Sequence, residues 1–228
     1  MSQTQRKALV IGATGAVGYK LINQLSQNNY AITAVVRRRA SFHHPAQQLI
    51  CPNFKDLSGF MQREAGDLSD THVFSALGTT LKQAGSKEAF RRVDYGYNLA
   101  FAKAAQKLGA RHYLLVSAHG ASADSWSFYS KTKGELEEAI ANLHFESCVF
   151  VRPSLLLADH TDRKLESLGV GLIRPLNRFF RAPPLPAIWP IEPEQVARAM
   201  VGLSLKSAKR PVGVLRVNNK TLHEGVTP

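Results

Sequence analysis

The sequence predicts a single α/β domain built on a doubly wound parallel sheet, with a small C-terminal substrate cap. Short apolar runs alternate with stretches of helical periodicity, and the links between them are short. This alternation is typical of a parallel sheet with helices on both faces and ligands at the carboxyl ends of its strands. With 228 residues, 44% of them hydrophobic, the chain can bury a core as one domain over residues 1–228, with residues 156–228 partly forming the cap.

The first predicted strand and helix enclose the spacing Gly12-x-x-Gly15-x-x-Gly18. The strand is expected at residues 8–11 and the helix from Ala16 to Ser26. Glycine permits a positive φ in the turn and lets a phosphate approach the backbone, and the helix N-terminus can bind a pyrophosphate. The alternative is an ordinary tight turn, since a lone glycine motif is weak evidence. The predicted cofactor contacts here are Gly12, Thr14, Gly15, Ala16, Val17 and Gly18.

A second apolar run, residues 31–36, ends in Arg37 and Arg38. In a dinucleotide-binding fold the adenosine ribose lies at this strand end, where an acidic residue binds a 2′-hydroxyl and an arginine binds a 2′-phosphate. Arg37 follows Gly18 by 19 residues, close to the usual spacing of about 20. The sequence therefore predicts NADP(H) rather than NAD as the cofactor. The alternative is a pair of solvated basic residues.

The elements that follow are predicted from the same patterns. After the fourth strand, Gly78 and Thr79 are small enough for the backbone to pass close to a bound ribose or nicotinamide. The sequence predicts strands at 48–51, 72–77, 111–117 and 147–151, a helix at 56–64, and a longer helix capped by Ser86 and ending at Gly109.

Beyond the sixth strand the pattern loosens into a region expected to build the substrate pocket. It comprises a polar loop at 159–164, a partly helical apolar stretch at 165–180 and a stiff turn at 182–186. Arg163 and Lys164 either contact a phosphate there or are solvated charges. A last helix begins near Pro193, and residues 212–217 are expected to add an edge strand.

Tyr129 and Lys133 carry the predicted chemistry. They are four residues apart in a predicted helix, so they project from one face. An ammonium beside a phenol favours the phenolate, which suits the tyrosine to pass a proton to or from a substrate oxygen. Ser117, at the end of the fifth strand, is expected to hydrogen-bond the same oxygen. The alternative is a chance pair in which the lysine reaches outward. The acidic residues of this helix, Glu135, Glu137 and Glu138, are expected to face water.

The net charge of +12 and the pI near 10.0 raise the question of nucleic-acid binding. The basic residues are dispersed, however, and the one triple at residues 37–39 has no interleaved aromatic residue. Attraction of an anionic cofactor, or of a small-molecule substrate that is itself anionic, explains the charge more simply. A nucleic-acid partner is therefore not expected. Cys51 and Cys148 lie in apolar runs and predict buried free thiols rather than a disulfide or a metal site.

The same composition bears on location and assembly. No run approaches the roughly 18 apolar residues of a membrane span, and no apolar signal core follows the opening residues 1–7. The prediction is a protein without a membrane partner and with a cytoplasmic location. A monomer and a homodimer are both compatible with the sequence.

Together these motifs resemble the short-chain dehydrogenase/reductase superfamily, in its atypical, epimerase-like branch with a Rossmann fold. The resemblance runs over about residues 6 to 205. It is closer to the oxidoreductases named for the Tat-interacting protein and their bacterial relatives, often labelled nucleoside-diphosphate-sugar epimerases. It is carried by the glycine motif, Ser117, Tyr129 and Lys133, and by the segments Gly78-Thr79-Thr80, Ala84-Gly85, Val93-Asp94, 115–121, Lys133-Gly134-Glu135 and 150–153.

The resemblance implies a role for each matched residue. Tyr129 would donate or accept the proton, and Lys133 would hold the nicotinamide ribose. Two departures matter: relatives tend to have Ser-Ser where this chain has Ser117-Ala118, and Asn53 stands near the position where many members place Asp beside adenine. His119 is a candidate third catalytic group or an exposed loop residue. Further cofactor contacts implied by the resemblance are Ala76, Leu77, Gly78, Thr79, Pro153, Ser154 and Leu155.

The sequence therefore predicts an NADP(H)-dependent oxidoreductase that acts on a carbonyl or alcohol, with a sugar-nucleotide epimerase as a variant. The alternative is a non-catalytic NADPH-binding redox sensor or regulator. The sequence does not identify the substrate.

Overall fold

A computed structural model describes residues 5–157 and 188–225 of the chain. Its centre is a seven-stranded sheet in the order β3-β2-β1-β4-β5-β6-β7, with every neighbouring pair parallel. The strand order reverses between β1 and β4, which in such sheets opens a crevice at the carboxyl edge. The predicted doubly wound Rossmann fold is confirmed. The strands are β1 (Arg6–Ile11), β2 (Tyr30–Val36), β3 (Gln47–Ile50), β4 (Thr71–Ser75), β5 (His112–Val116), β6 (Ser147–Arg152) and β7 (Gly213–Asn218).

Helices cover both faces of this sheet. All five residues of β4 are buried, and neighbouring residues face opposite sides, so that Val73 packs in one core and Phe74 in the other. One core contains α1 and α7, and the second contains α2, α5 and α6. The described helices are α1 (Ala16–Gln27), α2 (Leu57–Glu64), α3 (Leu81–Ala84), α4 (Lys87–Arg91), α5 (Asn98–Lys107), α6 (Phe128–Ala141), α7 (Pro193–Lys209) and α8 (Asn219–Glu224).

The helix predicted between Ser86 and Gly109 contains a segment that sequence periodicity did not predict. Ser86 accepts a hydrogen bond from the N–H of Ala89 and caps α4, as predicted. Between α4 and α5 the chain forms a π-helical turn over Arg92–Tyr97. The wider turn changes the direction of each side chain relative to an α-helix. Such turns occur often at functional sites.

The C-terminal segment belongs to the main sheet. The predicted last helix is α7, with Pro193 in its first turn, and it packs on the same face as α1. The predicted edge strand is β7, which pairs with β6. The predicted elements at 159–164, 165–180 and 182–186, with Arg163 and Lys164, lie outside the described residues. Within the predicted 156–228 cap, β7 therefore extends the main sheet and α7 covers one of its faces, whereas residues 158–187 lie outside the described residues.

Two further predictions from composition can be placed. No helix in the described ranges is long and apolar enough to cross a membrane. Cys51 and Cys148 are buried free thiols, as predicted. Burial raises the pKa of the Cys148 thiol to about 12, which keeps it protonated and unreactive at neutral pH.

Candidate active site

The glycine-rich loop joins β1 to α1 at the carboxyl edge of the sheet. Gly12 has φ +80°, and a Cβ there would lie 2.4 Å from the backbone of Ala76 and Leu77. A Cβ at Gly18 would lie 2.0 Å from the carbonyl oxygen of Gly12. Both positions therefore require glycine for the fold itself, whatever the loop binds.

Gly15 differs from the other two glycines. Its φ of −82° and ψ of 170° suit any residue, and a Cβ there would lie 3.4 Å from the Gly12 carbonyl oxygen. It is the N-cap of α1, and no side chain caps the helix there. The first N–H groups of α1 are thus available for an anion, as a bound pyrophosphate requires.

Arg37 and Arg38 leave the end of β2 and are exposed. With Pro52, which follows β3, they line an open cavity of about 280 Å³. Within the described ranges neither guanidinium forms an ion pair with an acidic residue. Two exposed guanidinium groups at this strand end fit a phosphate group.

The loop after β4 lies against the glycine-rich loop. The N–H of Ala76 donates to the carbonyl oxygen of Ile11 at 3.0 Å, and Leu77 follows it past Gly12. The N–H of Thr79 donates to Asp94 Oδ2 at 2.8 Å. The predicted contacts at Ala76, Leu77, Gly78 and Thr79 thus border the same crevice as the glycines.

A buried ion pair lies beneath this loop. Lys133 Nζ is 2.6 Å from Asp94 Oδ1, and the two side chains are 5% and 1% exposed. A Cβ at Gly78 would lie 3.3 Å from Asp94 Oδ1 and 3.8 Å from Lys133 Nζ, so the pair directly underlies the loop. Burial tends to lower the pKa of Lys133, but the charge of Asp94, followed by that of Tyr129, raises it above its usual range. Lys133 is therefore an ammonium group.

Tyr129 lies one helical turn before Lys133 on α6, at the accessible end of this arrangement. Its side chain is 37% exposed, and its ring contacts Phe90 with centroids 5.6 Å apart. Side chains four residues apart on a helix are neighbours, so the phenol lies on the same face of α6 as the Lys133 ammonium. The structure thus joins Tyr129 and Lys133 on one helix face, as the spacing predicts.

No sequence pattern indicated a chemical role for Asp94. Its direction depends on the π-helical turn, which Asn98 stabilises by donating to the carbonyl oxygens of Val93 and Leu77, each at 3.1 Å. Asn98 also accepts a hydrogen bond from the Ser75 hydroxyl at 2.5 Å. A 3.6-residue periodicity gives no signal for a carboxylate presented by such a turn.

Ser117 is buried, and its hydroxyl donates to Glu137 Oε1 at 2.5 Å. The prediction that Glu137 faces water is wrong, since this side chain is 1% exposed. Arg152 binds both carboxylate oxygens, through Nε at 2.9 Å and Nη2 at 2.6 Å, and Arg216 Nε binds Oε2 at 3.1 Å. Both oxygens of the Glu137 carboxylate thus have partners, and the only hydroxyl hydrogen of Ser117 is used in its hydrogen bond to Glu137.

The remaining predicted residues lie around the ends of β5 and β6. Ser154 donates from its N–H to Asn219 Oδ1 at 3.0 Å and from its hydroxyl to the Trp189 carbonyl oxygen. Leu155 is 43% exposed, and Pro153 accepts from the N–H of His119 at 2.8 Å. His119 itself is exposed. Asn53 caps the turn after β3 by accepting from the Lys55 N–H at 3.0 Å.

The sequence is also similar to known families. A family described as NAD(P)H-binding matches residues 12–171. The chain belongs to this NAD(P)H-binding family. The matched range includes the glycine-rich loop, the two arginines, Asp94, Tyr129 and Lys133.

Curated relatives match most of the chain, and solved structures share its fold. The chain is 38% identical to "Protein FMP52, mitochondrial" from Candida albicans over 165 residues, 71% of this chain and 70% of that protein. It is 34% identical to the protein of that name from Meyerozyma guilliermondii, over 89% of this chain and 87% of that protein. A short-chain dehydrogenase/reductase family oxidoreductase from Burkholderia thailandensis superposes with a TM-score of 0.68 at 19% identity, covering 97% of this chain and 94% of its own. MoeE5, solved with UDP-glucose and NAD, has a TM-score of 0.67 at 16% identity, covering 95% and 79%.

These comparisons correct two predictions. The relatives bear the name FMP52 rather than that of the Tat-interacting protein, so the closer assignment is wrong. The NAD(P)H-binding family and a fold like that of short-chain dehydrogenases and epimerases are supported. The cytoplasmic prediction is contradicted, because these relatives are named as mitochondrial proteins. Mitochondrial targeting segments are amphipathic and rich in arginine, so a search for an apolar signal core does not detect them.

Proposed function

We propose that this protein is an NADP(H)-dependent oxidoreductase that acts on a small carbonyl or alcohol substrate. The observation that carries the proposal is the Lys133–Asp94 pair directly under the loop that borders the glycine-rich crevice, with Tyr129 one helical turn before Lys133 on α6. An accessible phenol with a buried ammonium one turn away is suited to proton transfer. A Lys133–Asp94 pair with only a structural role would not require the accessible phenol of Tyr129 beside it.

The chain's own groups fit a dinucleotide along the carboxyl edge. The uncapped N-terminus of α1 at Gly15 suits the pyrophosphate, and residues 76–79 would border the ribose and nicotinamide. Lys133 has three N–H donors, and the ion pair with Asp94 leaves donors for a ribose hydroxyl. Residues 153–155 would approach the nicotinamide from the end of β6.

Arg37 and Arg38 support NADP(H) over NAD. They stand at the end of β2 without an acidic partner in the described ranges, beside the cavity they share with Pro52. A planar guanidinium pairs with a phosphate through two parallel hydrogen bonds and stacks on adenine. A 2′-hydroxyl would instead call for a carboxylate at this strand end.

Tyr129 is the group that transfers the proton to or from the substrate oxygen. When bound, the nicotinamide supplies or accepts a hydride at the substrate carbon. Tyr129 gives a proton to the carbonyl oxygen as that carbon is reduced, or takes it from the alcohol in the reverse direction. Lys133 orients the site and stabilises the phenolate that results. Ser117 does not donate to the substrate in this arrangement, since its hydroxyl already donates a hydrogen bond to Glu137.

The substrate is proposed to be small and is attracted more strongly if it is anionic, given the net charge of +12. The neighbour MoeE5 was solved with UDP-glucose and the related UDP-glucuronic acid. A sugar nucleotide is therefore one class worth testing here, with epimerisation as the variant reaction.

The test is a fluorescence titration with NADPH, followed by turnover assays on a panel of aldehydes, ketones and sugar nucleotides. The Tyr129→Phe variant serves as the matched control, since it removes one oxygen and leaves the ring against Phe90. We expect both proteins to bind NADPH and only the unmodified one to turn over substrate at full rate. Equal turnover by both would contradict the role of Tyr129.

A non-catalytic NADPH-binding regulator is the second candidate, and the Ser117–Glu137 hydrogen bond favours it. That bond removes the donor that was expected beside Tyr129. Tight NADPH binding with no turnover of any carbonyl in the panel would support the regulator.

A further inference from the structure

The buried Asp94–Lys133 pair has a consequence for the tyrosine beside it. A lone ammonium one helical turn from a phenol would draw the phenol toward its ionised form. Here a carboxylate oxygen lies 2.6 Å from the ammonium, in surroundings where both side chains are nearly inaccessible. Opposite charges this close present a much weaker net field to a third group than the ammonium would alone.

Among the charged groups near Lys133, Asp94 has the largest effect on the electrostatic field of the ammonium at Tyr129. Asp94 is fixed by a second hydrogen bond, from the Thr79 N–H at 2.8 Å, so it cannot rotate away without losing that contact. Of the charged groups on the neighbouring elements α4, α6, β6 and β7, Lys87 lies with its ammonium over the Phe128 ring, 5.4 Å from the ring centroid, and the following groups are paired with one another. Glu137 binds Arg152 and Arg216, and Arg91 binds Glu135.

We propose that Asp94 is a positioning residue that neutralises much of the charge of Lys133, so that Tyr129 keeps its proton until it donates it to a substrate. This rests on the proposed function of Tyr129. The site is then built for carbonyl reduction, the direction in which the phenol must start protonated. A bound reduced nicotinamide would supply the hydride to the carbonyl carbon and become oxidised. The C=O π pair would then move to the oxygen, which takes the proton of Tyr129. The phenolate left behind regains a proton from water.

The test is a spectrophotometric titration of Tyr129 in the protein without cofactor or substrate. The sequence contains 6 tyrosines, so the phenolate absorbance of Tyr129 is isolated by subtracting the Tyr129→Phe protein. We expect Asp94→Asn to lower the ionisation midpoint of Tyr129 by about one pH unit, because the ammonium loses its counter-charge. Glu135→Gln is the matched control. It removes a carboxylate from the same helix at a position paired with Arg91, and it should leave the midpoint unchanged.

A second variant covers the case in which Asp94→Asn fails to fold because it leaves a buried charge unpaired. The double variant Asp94→Asn with Lys133→Met contains neither charge and should fold. Its Tyr129 midpoint should stay close to that of the unmodified protein, because the pair it removes is close to neutral. A midpoint in Asp94→Asn equal to that of Glu135→Gln, or a large rise in the double variant, would overturn the proposal.

The titration also separates this inference from the proposed function. The titration needs no substrate, so its result can be interpreted even if no substrate is turned over. If a substrate is found, the pH at which carbonyl reduction falls off should move down with the Tyr129 midpoint in Asp94→Asn. A reduction profile that does not move, despite the shifted titration, would contradict the link to reduction.

Discussion

Replacing Gly15 with alanine should weaken NADPH binding and leave the fold intact. The backbone at Gly15 has φ −82° and ψ 170°, which alanine adopts without strain. The added Cβ would lie 3.4 Å from the Gly12 carbonyl oxygen and 4.0 Å from that of Ala76, distances that the protein accommodates with little movement. The lower entropy of the unfolded chain could even stabilise the variant by about 0.5 kcal/mol.

The effect on the cofactor is different, because the new methyl group stands where a phosphate must approach the helix N-terminus. Loss of one charge-assisted hydrogen bond costs about 1.5–3 kcal/mol, which raises the dissociation constant roughly 10- to 100-fold. Gly18→Ala is the contrasting variant, since its Cβ would lie 2.0 Å from the Gly12 carbonyl oxygen and should prevent stable folding. The assays are fluorescence titration with NADPH and thermal melting. A Gly15→Ala protein with unchanged affinity, or one that does not fold, would refute the reasoning.

Three further predictions concern specificity and stability. Arg37→Asp should shift preference from NADPH to NADH, and competition titrations that show unchanged selectivity would count against a 2′-phosphate site at the end of β2. Burial, with a smaller contribution from the charge of His112, lowers the pKa of His72 to about 4, so the folded state binds fewer protons than the unfolded chain between about pH 6.5 and 4. Stability should therefore fall by up to roughly 3 kcal/mol as the pH drops through that window, and His72→Gln should flatten the dependence in urea titrations. Glu137→Ala should lower the free energy of unfolding by about 3 kcal/mol, since it leaves two arginines without their carboxylate, whereas the exposed Glu138→Ala should change it by less than about 0.5 kcal/mol in the same measurement.

The sheet was predictable from sequence because its strands are nearly continuous apolar runs with short links. The helix predicted from Ala16 was likewise marked by its glycine turn. The ends of the elements were predicted less accurately than the elements themselves. For example, the strand predicted at 72–77 ends at Ser75, where the chain turns into the loop over the crevice.

Side-chain partners were harder to predict than elements. Tyr129 and Lys133 could be paired from their spacing alone, because both lie on α6. Asp94 could not be placed, since its direction depends on a π-helical turn and on Asn98. The burial of Glu137 was indicated by its spacing, since it lies four residues after Lys133 and so on the same helix face. The prediction of exposure followed instead from the general tendency of carboxylates to be exposed.

The most direct measurement of the central claim is a crystal structure of the protein with NADPH bound. We predict the diphosphate at the N-terminus of α1, the 2′-phosphate against Arg37 and Arg38, and the nicotinamide beside the Tyr129 hydroxyl with its ribose on Lys133. A nucleotide bound elsewhere, or a Tyr129 hydroxyl directed away from the nicotinamide into solvent, would contradict the account.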